Sequence, residues 1–306
     1  MVLLTVVTTL ASGMVWQQWK AVQVEAAERS RAQSGWILQG ALDWSRLILR
    51  EDARSGRPTS LNEPWATPLA EARLSTFLAA DRNNNTDTGP EAFLSGSISD
   101  AQARYNLRNL VVASNSALPP AELAALLAAQ NARLQRLCGS AGLGADIAAL
   151  LATGLAASAG VDASAPLAPL QMADLAWLGL DAASIERLAT VAVLLPVSTP
   201  LNLNTASREV LAAVIPGLDL GGADRLVQAR TRKPFATVGD ASAVLGASPV
   251  LDATLVDVKS SFFEVRGRLR LDDRVLEEQT LIQRKGGLEV VAIQHLRQAG
   301  LSPASR

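Results

Sequence analysis

Residues 262–271, Phe-Phe-Glu-Val-Arg-Gly-Arg-Leu-Arg-Leu, alternate apolar and polar side chains with a period of two from Phe263 onward. Successive side chains of a β-strand point to opposite faces, so this pattern predicts a half-buried strand. Two further runs of the same kind follow, Val275 to Arg284 and Leu288 to Leu296. Turn-forming residues separate them: Asp272-Asp273-Arg274, then Lys285-Gly286-Gly287. The C-terminal part therefore reads as an antiparallel sheet of consecutive strands.

Moving outward from those strands, the pattern changes. From Pro119 to Pro196 the chain is rich in Ala and Leu, is broken only by Gly and Pro, and reads as helices. Acidic residues outnumber basic ones six to three in that block. Residues 92–112 again alternate, enough for two short strands joined by a turn at Ser99 to Gln102. Strand signals thus lie on both sides of a helical stretch. The fold class expected is α+β, with residues 51–112 and 261–306 forming one discontinuous domain and an all-α domain, residues 113–260, inserted into it. Pro58, Pro64 and Pro68 mark residues 51–70 as a connector.

Within the helical block, Gly179-Leu-Asp-Ala-Ala-Ser-Ile-Glu-Arg-Leu188 aligns with Gly217-Leu-Asp-Leu-Gly-Gly-Ala-Asp-Arg-Leu226, and Gly142-Leu-Gly-Ala-Asp-Ile is a weaker echo. Each Gly suits the left-handed backbone at a helix end, and each Asp suits the cap of the next helix. This is a helix-hairpin-helix pattern. In nucleic-acid-binding hairpins, a Gly-x-Gly turn offers backbone N–H groups to a phosphate. Here Asp219 stands where the second Gly would be, and residues 200–250 carry five bases against four acids. An acid at the phosphate position repels the ligand, so a structural or protein-binding role is expected and nucleic acid is not.

The first nineteen residues carry no charged side chain before Lys20. Their apolar run, Met1 to Trp16, is short of the ~20 residues that cross a bilayer as a helix. Trp16 and Trp19 would sit at an interfacial belt. A secretory signal peptide would need a basic start and a small-residue cleavage site, and neither is present. The pattern instead continues as helix, with Ala26, Gln33, Ile37, Ala41, Trp44 and Ile48 on one stripe. One continuous helix over residues 1–50, about 75 Å long at about 1.5 Å per residue, is expected to be membrane-embedded at one end and amphipathic at the other. Lys20, Arg29 and Arg31 all follow the apolar run. Taken alone they would place the C-terminal side in the cytoplasm, and a short basic leader before Met1 would reverse that orientation.

The composition excludes several functions. The 306 residues carry 28 basic and 29 acidic side chains, one Cys and one His. An internal disulfide, a His-rich metal centre and most triad chemistry are therefore excluded. Asp81, Asn83, Asn85 and Asp87 show the alternating oxygens of a calcium loop, but Thr86 replaces the turn Gly and Ala92 the closing Glu. A solvated loop is expected there. Cys138 reads as a small buried hydrophobe and His295 as a structural residue. No phosphate loop, nucleophile elbow or carboxylate pair is present, so neither catalysis nor a cofactor is expected.

Taken together, these residues resemble the K-type minor pseudopilins of type II secretion. The resemblance rests on Met1-Val-Leu-Leu-Thr-Val-Val7, Glu63-Pro-Trp-Ala66, Gly96-Ser-Ile-Ser-Asp100 running into Arg104-Tyr-Asn-Leu107, Leu201-Asn-Leu-Asn-Thr-Ala-Ser207 and Phe262-Phe263. It implies a single-pass inner-membrane subunit with its bulk in the periplasm, made with a leader that a prepilin peptidase removes. It also implies a place at the tip of a pseudopilus that exports folded proteins, joined to the I- and J-type minor pseudopilins and to the major pseudopilin. Thr5 at the fifth position, in place of the usual pilin Glu, is similar to the K type. Members of the family bind calcium through an acidic stretch of the inserted domain, where this chain has only Asp162 between Thr153 and Pro169. The implied partner surface is the N-terminal helix at Val22, Ala26, Arg29 and Gln33, with Gly35 and Gly40 permitting close approach. A membrane-anchored DNA receptor of the competence type shares the Asn-x-Asn-Thr-Ala hairpin and is the competing reading.

Overall fold

The computed structural model describes residues 1–74, 92–114, 118–158, 166–246, 248–271 and 274–301. Helix α1 spans Val2–Arg54, about 80 Å at about 1.5 Å per residue. It stops where Gly56 turns to positive φ ahead of Pro58. Its buried residues are Ser34, Leu38, Leu42, Ser45 and Leu49, and none of the first 33 residues is buried.

That stripe corrects the expected one by about one residue around the helix. Ile37, Ala41 and Ile48 are half-buried at its margin, while Trp36 and Trp44 are exposed. The sheet selects the face that lets the backbones approach. Gly267 lies under Leu38, and a Cβ there would come within 3.1 Å of Leu38 Cδ2. Ser45 turns its hydroxyl back to Ala41 O at 2.9 Å, so a small polar residue fits the seam.

Beneath α1 lies a sheet of five antiparallel strands: β1 (Leu69–Arg73), β2 (Ala92–Asp100), β7 (Phe262–Leu271), β8 (Arg274–Arg284) and β9 (Val290–Leu301), in the spatial order β1-β2-β7-β8-β9. Phe263, Val265 and Ile282 meet Leu42, Leu49 and Trp65, and Leu94 and Leu269 meet Leu38. The three expected C-terminal strands are present, with a 3₁₀ turn at Gly286–Leu288 in the second connection. Two expectations change. The connector at 51–70 holds the end of α1, a 3₁₀ turn at Pro64–Ala66 and the start of β1. The second strand expected in 92–112 shrinks to β3, Tyr105–Asn106, because the Asn106 side chain accepts the Arg108 N–H at 3.0 Å and starts a helix.

Between β2 and β7 run α2 (Arg108–Ser114), α3 (Pro120–Ser140), α4 (Ala145–Ser158), α5 (Ala182–Leu188), α6 (Arg208–Val214), α7 (Leu220–Arg232) and α8 (Val238–Leu245). Short parallel pairs tie them together: β3 with β4 (Ala192–Val193) and β5 (Leu201–Asn202) with β6 (Val256–Asp257). Their apolar core, drawn from Tyr105 to Val258, is separate from the clusters under α1.

Candidate assembly surface and the junction behind it

The N-terminal part of α1 presents apolar side chains to solvent. Leu4, Val7, Leu10, Val15, Trp16, Trp19 and Val22 are each more than half exposed. Ala26 and Gln33 are exposed, and Arg29 is exposed and paired with Glu25 at 2.9 Å. Gly35 and Gly40 point in different directions. A Cβ on Gly35 would face Arg297 of β9 at 3.7 Å, whereas one on Gly40 would meet nothing within 4 Å. Gly40 opens instead onto a groove of about 850 Å³ lined by Trp36 and Trp44 of α1, Trp65, and Leu94 and Ile98 of β2. Trp65 forms its floor, edge-on to Phe263 at 5.3 Å between centroids, with its Nε1 donating to Glu63 Oε2 at 2.6 Å. Burial raises the Glu63 carboxyl above its usual range against the bond from Trp65. This contact gives Glu63-Pro-Trp-Ala66 its structural reason.

A second set of residues fastens the helical block to the sheet. Asp100, the last residue of β2, is fully buried. Its Oδ2 accepts from Asn202 Nδ2 at 2.9 Å, Thr205 Oγ1 at 2.6 Å and Ser260 Oγ at 2.6 Å, and its Oδ1 from the Gln102 N–H at 2.8 Å. Burial raises its pKa, and these four donors oppose the rise. Asn202 also donates to Thr59 O, and Asn204 pairs with both backbone groups of Phe235. Arg104 bonds Glu264 of β7 at 2.5 Å and Ala189 O of the helical block at 3.0 Å. The Asn-x-Asn-Thr run is therefore a joint between the chain's own parts. Sequence reading singled the run out without its partner Asp100, because the two lie about a hundred residues apart. The paired signal was a buried-type Asp ending one alternating strand and an amide-rich turn after the helices.

The two hairpin glycines adopt positive φ, +95° at Gly179 and +77° at Gly217. Asp181 caps the Ser184 N–H and Asp219 the Gly222 N–H, each at 2.7 Å. Asp219 thus occupies the Gly222 N–H and sets its own negative charge where a phosphate would sit. Arg230 is buried and donates to Leu203 O at 2.6 Å, and burial pushes its pKa down to about 10. It keeps its charge but is not a surface base of the hairpin. Arg133 is also spent inside, on Val214 O, and the exposed Arg136 bonds Ala213 O, both at the end of α6.

Asp81, Asn83, Asn85, Asp87 and Asp162 lie outside the described residues, and no His, Cys, Asp and Glu grouping among the described ones suits a metal ion. Cys138 is buried, and its thiol is pushed up to about 11. His295 Nδ1 lies 3.0 Å from Thr280 Oγ1. No described helix is long and apolar enough to cross a membrane on its own. Thr5, Thr8, Thr9 and Ser12 dilute the apolar run of α1, and the Thr hydroxyls bond back to its carbonyls.

Residues 201–259 match the family model described as "Type II secretion system (T2SS), protein K". The Type II secretion system protein K of Pseudomonas aeruginosa PAO1 is 27% identical over 330 residues, an alignment covering 98% of this chain and 92% of that one. The chain resembles protein K of the type II secretion system. The fold agrees: a chain of the crystal structure of the GspK-GspI-GspJ complex from the enterotoxigenic Escherichia coli type 2 secretion system superposes with a TM-score of 0.65 at 18% identity, covering 89% of this chain and 98% of that one. The window matched to protein K begins at Leu201 and ends at Lys259, so it holds Asn202, Asn204, Thr205 and both Gly217 and Asp219.

Proposed function

We propose that the chain is a non-enzymatic minor pseudopilin that stands at the tip of a type II secretion pseudopilus and serves its assembly and the export of folded proteins. The single observation that supports this most strongly is α1: its first 33 residues carry large apolar side chains that no part of the described chain covers. Exposed apolar surface on this scale is stable only against lipid or other proteins. In this reading the first turns lie in the inner membrane with Trp16 and Trp19 at its surface, and the following turns pack against the long helices of I- and J-type minor pseudopilins and of the major pseudopilin. The solved relative is itself a complex of K, I and J subunits. Residues 51–112 and 261–306 form the pilin-like head, and the helix-hairpin-helix pattern of residues 113–260 is scaffolding for a bulky periplasmic cap. The DNA-receptor reading is not favoured, because Asp219 and the inward-turned Arg230 leave the hairpin without a phosphate grip.

Co-expression of the full chain with the I- and J-type subunits of its own organism tests the proposal. A ternary complex that co-purifies from detergent-solubilised membranes is expected. Recovery of the chain alone, in the soluble fraction, would overturn it.

A further inference from the structure

The two edges of the five-stranded sheet are built differently. β1 is five residues long, is bulged between Leu69 and Ala72, and carries Glu71 and Arg73. Short length, a bulge and charge all discourage another strand from pairing there. β9 is twelve residues long and contains neither Pro nor Lys. Its one charged side chain, Arg297, is drawn off to Glu278 of β8 at 2.7 and 3.0 Å. A single bulge at Ile293 interrupts it, and from Gln294 to Leu301 it keeps unbroken register with β8. Ile293 and Leu296 are the large apolar side chains exposed on the sheet among the described residues. Apart from Val290 O, which accepts from Arg46, no described group bonds the backbone of β9 on the side away from β8.

That edge also borders α1. Gly35 faces Arg297, and Arg46 reaches Val290 O at 2.8 and 3.0 Å. A subunit whose long helix packs along this side of α1 brings its own head next to β9. We propose that the β9 edge, Gln294–Leu301, is a docking site for an extended strand of a neighbouring minor pseudopilin's head, joined by main-chain hydrogen bonds and flanked by Leu296. An unpaired row of alternating N–H and C=O groups selects an extended backbone as its partner, because only a strand presents the complementary spacing. The proposal rests on the assembly reading above and adds a second contact to the helix packing.

Residue-resolved hydrogen exchange on the full chain, alone and with the I- and J-type subunits, tests it. Alternate amides between Gln294 and Leu301 should exchange at least about ten-fold more slowly in the ternary complex, while the β1 amides, Leu69–Arg73, keep their rates. A ternary complex with unchanged β9 rates overturns the strand contact and leaves the assembly reading standing. Slowing that appears on concentrating the chain alone assigns the edge to a second copy and also overturns the proposal. Absence of any complex overturns both.

Discussion

The two halves of α1 belong to one helix, yet they differ in what covers them. From Ser34 to Leu49 the chain's own sheet buries a narrow stripe, with Leu38 seated over Gly267. Before Ser34 no residue is buried, although Val, Leu, Met and Trp are as frequent there. Folding of the described chain is thus complete without the first half, and the first half is left for other molecules. An apolar side chain stabilises a fold only if the fold covers it, so the same substitution should read differently on either side of Ser34.

The largest expected effect tests that difference directly. Leu42→Ala removes a buried side chain between α1 and Val265 and should lower head stability by ~2–5 kcal/mol. Leu10→Ala should leave the denaturation midpoint of the detergent-solubilised chain unchanged. Equal effects at the two sites would erase the contrast between the halves. Next comes the junction, which sharpens the contrast from the other side. Asp100→Ala removes the acceptor of the Thr205 and Ser260 hydroxyls, while Asn202 keeps Thr59 O, and should cost about 1–3 kcal/mol. The helical block should then unfold at lower denaturant than the sheet, seen as a two-step transition, whereas the parent unfolds in one. The smallest effect separates the faces of the close-packed elements. Gly96→Ala would place a Cβ 2.9 Å from Arg266 O, a backbone atom, and should cost ~1–3 kcal/mol. Gly40→Ala meets open space and should raise stability slightly through its higher helix propensity. Both are read from thermal midpoints.

Much of this division was legible in the sequence. The period-two runs after Phe262 and the Gly-then-Asp spacing at Gly179 and Gly217 each express a local rule, and the strands and helix caps appear where the rule puts them. The errors share one cause: they depend on what the chain meets in three dimensions. The buried stripe of α1 was misread because Ser34 and Ser45 are polar by type, and only packing against the sheet makes them members of it. β1 hid among prolines because a five-residue edge strand has too few residues to show a period. Arg230 counted as a surface base until the Leu203 carbonyl claimed it. Asp100 ends an alternating strand, but its partners Asn202, Thr205 and Ser260 lie more than a hundred residues along the chain, so the junction itself could not be read locally. The calcium-like loop at Asp81 to Asp87 lies outside the described residues.

The central claim is that the uncovered half of α1 is an assembly surface and takes no part in folding the head. Its most direct test is the double variant Val22→Asp, Ala26→Asp in the full chain, co-expressed with the I- and J-type subunits and followed by co-purification and thermal melting. The account predicts loss of the ternary complex with an unchanged melting temperature, because interfaces of this kind concentrate their energy in a few covered positions. A complex that survives both charges, or a head that melts earlier because of them, would contradict it.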